Sequence, residues 1–522
     1  MDASGLFTVL GIFIAIFSLI SEEKRLDFIL RFSWISWFLS IVLGLVTLIF
    51  LYSNVIIEIL KVLGIKPFQV IWGFDDKMAV LTCAILMSIL FIYQLFGVRL
   101  PKSRFKFWNI RSEKLLKHKK YSILGFLLEK YLDQFLEILT KKSKYEKMYN
   151  SFSSKAFAIN PTEFLDENFE YLKSPIWSEN TKRQAILKMI SKLKKTPYIS
   201  DVETSISRLL KSSDFINYLT VSYPAVPIKL VSCPSFLTDD EFTDSFFKIL
   251  ISNKESPLYR ELKDNQHYIP SKGYHLEPEN YILRHFFLDC QKAIDAIIWQ
   301  PIGNYICKYI KEQKGEDNFY NTYDESFSYS DERWNCTIFV GVEFFNVMVT
   351  SSIYQKKQDH MWLMYYEYFL NEILKNIDRS KNSEDWQEFP LKFDYLIYRL
   401  ISNCSDWVNT ANYLYNDEVN SILAIEYASE CLGQMIRKLL LSDKFTENKK
   451  VYYLEIILKL MKDLDSNGHV RLSQKIYFSM IGVTMFSSGD SDLSWLKNIY
   501  RDVDHVLRLS GSTFNTEIKK AP

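Results

Sequence analysis

Three runs in the first hundred residues carry no charged side chain: Ala3–Ile20 with 18 residues, Phe32–Ile57 with 26 and Met78–Val98 with 21. A helix rises 1.5 Å per residue, so a hydrocarbon core of about 30 Å needs about 20 apolar residues. The second and third runs meet that length, and the first falls just short. Aromatic rings stand at their margins: Trp34, Trp37 and Tyr52 around the second, and Phe68, Trp72, Phe74, Tyr93 and Phe96 around the third. Rings with one polar edge favour the headgroup level, so these positions predict membrane-spanning helices. The first run lacks a basic leader and a small-x-small cleavage site, which argues for a retained helix over a signal peptide. The expected anchor is therefore two or three helices within residues 1–98.

After residue 120 the pattern changes to a helical period. Leu124, Leu127, Leu128, Tyr131, Leu132, Phe135, Ile138 and Leu139 recur at spacings of three and four, which predicts one amphipathic helix over 121–140. The same period predicts helices from Asn180 to about Lys195 and over EFTDSFFKILIS after Asp240. It also predicts a long helical stretch from Asn280 to about Glu312, broken near Pro301 and Gly303. Further segments are expected over 360–378, 391–403, 416–441, 449–465, 470–485 and 491–509. CTIFVGVEFFNVMV, 336–349, is rich in β-branched and aromatic residues and suits a strand pair, so a small β element is expected there. The fold class is mainly α. The acidic, polar stretch 315–332 is read as a linker dividing a helical part at 121–314 from a second at 333–510, with a tail at 511–522.

Charge fixes an orientation. Residues 1–120 hold 15 Lys and Arg against 8 Asp and Glu, whereas the remainder holds 48 against 54. Nine of those cations lie in RLPKSRFKFWNIRSEKLLKHKK, residues 99–120, directly after the third run. Lys and Arg collect on the cytoplasmic side of spanning helices, which places residues 99–522 in the cytoplasm. Within this segment Arg99, Lys102, Arg104, Lys106, Trp108 and Arg111 are the expected contacts to lipid headgroups, since aromatic and cationic residues interleave there. The mildly acidic remainder argues against nucleic acid as a partner. Seven dispersed cysteines without a C-x-x-C pair suit reduced, buried thiols.

Chemistry leaves few marks. G-x-G-x-x-G, G-x-x-x-x-G-K-[ST], H-E-x-x-H and G-x-S-x-G are all missing, and residues 121–522 hold ten Gly. No cofactor is expected. His267 and His275 flank Pro270 and Gly273 with Glu277 and Glu279 nearby, but read as surface loop histidines, so no metal is expected either. YRELKDNQHY, 259–268, resembles the Arg-x(4–6)-His signature of the helical HEPN ribonucleases. The resemblance covers ten residues, and it implies that Arg260 holds a phosphate while His267 acts as acid and base in RNA cleavage. Pro270, close behind His267, departs from the long helix of that family.

The leading expectation is a membrane-anchored cytoplasmic interaction or sensing protein, with membrane lipids and either a protein partner or a second copy of the chain as partners. Its use of Lys, Ile, Asn, Tyr and Phe suits an AT-rich bacterial source, and the expected location is the inner membrane. The architecture is similar to that of bacterial membrane-tethered effectors of stress and phage defence. A tethered ribonuclease using Arg260 and His267, and a structural subunit of a membrane complex, are the alternatives.

Overall fold

The computed structural model describes residues 11–12, 14–63, 76–140, 197–233, 240–265, 267–270, 272–315, 318–323, 325–358, 361–379, 389–414, 423–484, 487–490 and 492–520. They are mainly helical, with two short antiparallel strand pairs. The chain divides into two compact units, residues 1–226 with 233–235, and residues 227–232 with 236–522.

The first unit holds α1 (Glu22–Arg31), α2 (Trp34–Leu51), α3 (Ser53–Val62), α4 (Asp76–Phe96), α5 (Phe105–Lys117), α6 (Tyr121–Thr140), α7 (Pro197–Leu210) and α8 (Ser213–Ser222). Ser33 caps α2 by accepting from the Ser36 amide at 3.1 Å. Helices α2 and α4 pack as a pair. The face of α4 turned to its neighbours carries Ala79, Val80, Cys83, Ala84 and Gln94, and α2 buries Ser36 and Thr47. Small residues at spacing four let two helix backbones approach closely. The long apolar side chains point the other way: Trp34, Ile35, Phe38, Leu45 and Ile49 on α2, and Leu81, Ile85, Ile89 and Phe96 on α4, are exposed. Of the first apolar run only residues 11–12 and 14–20 are described, helical through residue 19. The remainder, and the helix expected from Asn180, lie outside the described residues.

Beyond these, α6 packs on α1, α5, α7 and α8 through the stripe read from its sequence, with Leu124, Leu127, Leu128, Tyr131, Leu132 and Phe135 all buried. The basic segment and α6 therefore belong to the same compact unit as the apolar helices.

The second unit is built around α14 (Thr337–Tyr354), whose 18 residues are apolar enough to cross a membrane yet 94% buried inside the protein. The strand pair expected over 336–349 is thus this helix. Its β-branched and aromatic side chains serve it because neighbours cover every side, and a helix buried all round has no polar face to reveal its period. Cys336 caps it, its Sγ accepting from the Phe339 amide at 3.4 Å. Around it lie α9 (Asp240–Ser252), α10 (Pro257–Asp264), α11 (Tyr281–Phe287), α12 (Cys290–Asp295), α13 (Trp299–Glu312), α15 (Met364–Asn376), α16 (Lys392–Asn409) and α17 (Leu423–Leu441). Helices α18 (Glu447–Ser466) and α19 (Val470–Met480) continue the stack against α17.

Two sequence signals read as breaks are packing features instead. Pro301 lies in the first turn of α13, where a missing N–H costs nothing. A Cβ on Gly303 would meet the Tyr365 ring at 2.3 Å, so this glycine admits a neighbour. The interruption falls earlier, before α13, where Ile297 adopts φ of 47°. The acidic stretch 315–332 lies inside the second unit, with Tyr320 and Phe327 buried.

Candidate membrane interface

Where the apolar helices end, the first unit carries a set of long-range polar contacts. The last carbonyls of α4 have no partner within their own helix. Arg31, at the end of α1, supplies one: its Nη1 donates to the Gly97 carbonyl at 2.5 Å and its Nη2 to the Leu95 carbonyl at 2.9 Å. A cation also matches the negative end of the α4 dipole. Asp27, one turn before Arg31, accepts from the Arg31 guanidinium at 2.6 Å and from Lys130 Nζ at 2.7 Å. The Tyr131 hydroxyl donates to the same carboxylate, and burial, then the Asp27 charge, raise the Tyr131 hydroxyl well above its usual range. Asp27, Arg31 and Tyr131 are all buried.

Two further contacts extend the junction. Arg104 Nε donates to the Phe32 carbonyl at 2.7 Å, and Gln134 brackets Leu100, accepting from its amide and donating to its carbonyl at 2.8 Å each. Within the apolar pair, Gln94 Nε2 donates to Ser36 Oγ at 2.8 Å. The helical hairpin is thereby fastened to α1 and α6 by side chains from both of its flanks.

The residues expected to touch headgroups separate into three groups. Arg99, Lys102, Lys106 and Arg111 are exposed, Arg99 lying 3.7 Å from Glu137 and Lys102 lying over the Tyr198 ring. Arg104 is half-buried by its bonds to Phe32. Trp108 is a correction: it is fully buried between α5, α6 and α7, its Nε1 donating to Ser205 Oγ at 3.0 Å, and cannot meet a headgroup. It occupies the apolar face of an amphipathic helix whose cations take the other face. Asp27 and Gln94 went unread in the sequence, and Tyr131 was read only as a member of the apolar stripe of α6. The signal for Asp27 is an acidic residue one helical turn before Arg31.

Elsewhere, Arg260 is exposed on α10, which ends at Asp264, and His267 is exposed in the turn that follows, before the strand pair Tyr268–Ile269 and Gly273–Tyr274. The two residues therefore lie on different elements. His275 Nε2 is 3.6 Å from Glu277, and among the described residues no group of three or more His, Cys, Asp or Glu could hold a metal ion.

The second unit contains a buried polar network on α14 and α16. Glu343 on α14 accepts from Arg399 Nε and Nη2 at 3.0 and 2.6 Å and from Asn403 at 3.4 Å. Asn403 also donates to Tyr366 Oη at 3.1 Å, and Trp407 donates to Asn346 Oδ1 at 2.9 Å. Nearby, burial lifts the Asp406 carboxyl to about 6. These donors and acceptors satisfy one another, an arrangement that specifies how α14 and α16 register.

Among the described residues three helices, α2, α4 and α14, are long and apolar enough to cross a membrane. No protein-family model matches the chain, and no curated protein or solved structure matches it.

Proposed function

We propose that the chain is a membrane-anchored protein: α2 and α4 span the bilayer, and the helical second unit faces the cytoplasm as an interaction or sensing module. The observation that carries this reading is the contrast in burial between three helices that are all long and apolar enough to cross a membrane, with mean hydropathy 2.3 for α2, 2.2 for α4 and 1.4 for α14. The apolar window of α2 is 11% buried and that of α4 is 28% buried, whereas that of α14 is 94% buried. Helices that turn small and polar residues inward and large apolar ones outward suit a solvent of hydrocarbon. Lys and Arg flanking the pair at residues 24–31 and 99–120 support a cytoplasmic side there. An inner-membrane effector of bacterial stress or phage defence is the setting this architecture suits.

The test is affinity isolation of the full-length tagged protein from its native membranes. A stoichiometric partner, or a stable self-assembly, supports the interaction reading. A lone monomer in every detergent and growth state overturns it.

A further inference from the structure

Between α1 and the end of α5 lies a cavity of about 480 Å³, within the size range of small-ligand sites. Arg25 from α1, Arg111 and Lys114 from α5, and His118 and Lys120 beyond α5 line it, with Glu22 as its one carboxylate. Glu22 is engaged: Lys120 Nζ lies 2.5 Å from it. The Lys120 hydrogen bond, aided by the fields of Lys120, Arg25 and Arg111, holds the Glu22 carboxyl below the usual range. One anion therefore answers a surplus of cations drawn from two separate segments. Leu26 and Leu115, both buried, form an apolar wall, and Ile29 is exposed beside it.

Position adds to composition. Helix α1 is short, and apolar runs that end at Ile20 and begin at Phe32 flank it on both sides. A ten-residue helix held at both ends by apolar segments stays at the surface of the bilayer, at headgroup depth. The cations there face a group that is anionic on one side and joined to hydrocarbon on the other.

We propose that this cavity binds a phosphate ester anion, with Arg25, Arg111, Lys114 and Lys120 as its donors and the Leu26–Leu115 wall against the apolar part of the ligand. An anionic phospholipid headgroup and a soluble phosphate ester share this chemistry, and the lipid source rests on the membrane-spanning reading above. Arg and Lys supply charge-assisted hydrogen bonds to phosphate oxygens, with Arg able to bind two at once.

The test uses the full-length protein in neutral detergent, followed by the shift of its melting temperature on titration with short-chain phosphatidylglycerol, short-chain phosphatidylcholine or inorganic phosphate. The double variant Arg111→Ala/Lys114→Ala removes two donors that point outward from α5. Its affinity for phosphatidylglycerol is expected to fall roughly 30-fold, about fivefold for each cation. The control Lys24→Ala/Lys211→Ala removes the same charge from exposed positions outside the cavity and is expected to leave affinity within about twofold. Saturable stabilisation by phosphatidylglycerol alone assigns a lipid headgroup, and equal stabilisation by inorganic phosphate assigns a soluble ester. No stabilisation by either anion, or equal losses in both double variants, overturns the site. Because the protein is in detergent, that result is independent of whether α2 and α4 span a bilayer.

Discussion

The Arg31 guanidinium reaches across 66 residues of sequence to donate to the Gly97 carbonyl at 2.5 Å, joining the end of α1 to the end of α4. Gly97 permits this approach: a Cβ there would stand 2.8 Å from Arg31 Nη1 and 3.2 Å from the Tyr93 carbonyl. Asp27 neutralises the buried guanidinium from the other side. Removing one partner of a buried ion pair leaves the other charged and unsolvated, which costs about 3–5 kcal/mol. Asp27→Ala is therefore expected to lower the stability of the first unit by about that amount, and Gly97→Ala to lower it by displacing Arg31. Unfolding in detergent followed by tryptophan fluorescence checks both, and a change below about 0.5 kcal/mol for Asp27→Ala would show that the junction is dispensable.

Gly433 lies at a close contact between α17 and α19. A Cβ there would meet the Ile476 carbonyl at 2.4 Å and Ser479 Cβ at 2.7 Å, and the carbonyl cannot swing aside as a flexible side chain would. Gly433→Ala is expected to destabilise the second unit by about 1–3 kcal/mol, the usual cost of overpacking. Thermal unfolding measures it. An unchanged or raised melting temperature would mean that the two helices are packed less tightly.

Glu343 and Arg399 make a second ion pair, with Glu343 almost wholly enclosed and Arg399 in partial contact with water. Glu343→Ala leaves Arg399 without its carboxylate, and because Arg399 keeps partial contact with water the expected cost lies below the roughly 3–5 kcal/mol of a fully buried pair. The double variant Glu343→Leu/Arg399→Met removes both charges and is expected to recover much of that loss. A double variant no better than the single one would show that packing, and not the stranded charge, sets the cost.

Glu261 supplies the pH dependence. It is buried and accepts from the Ile282 amide at 2.9 Å and the Leu283 amide at 2.9 Å at the start of α11. Burial raises its carboxyl from 4.5 to about 7, more than these backbone donors lower it. The folded chain thus holds this proton more tightly than the unfolded chain. The Glu261 contribution to stability is full below about pH 4.5 and is lost as pH rises through 7, by about 3 kcal/mol at most. Comparing melting temperatures across pH 4 to 8, the wild-type curve is expected to fall relative to that of Glu261→Gln. Parallel curves would contradict it.

How much of this was legible depends on whether a residue's role is local. The stripe over 121–140, and the helices expected over 360–378, 391–403, 416–441 and 449–465, follow from apolar spacing along one element, and the structure has helices at Tyr121–Thr140, Met364–Asn376, Lys392–Asn409, Leu423–Leu441 and Glu447–Ser466. Helix α14 was hidden because its burial on all sides erases that spacing, leaving only a β-leaning composition. The cations after residue 98 announced a boundary, but spacing alone could not distinguish Arg104, which bonds Phe32, from Arg111, which lines a cavity. Trp108 was misread for the same reason, since its partner Ser205 lies 97 residues away. Contacts of that span leave no periodic trace in a single sequence.

The central claim is that α2 and α4 lie in a bilayer, and an alkaline carbonate wash of membranes from cells producing the untagged chain tests it most directly. The account predicts that the protein stays in the pellet through the wash and leaves it only with detergent. Release into the supernatant by carbonate alone would contradict it.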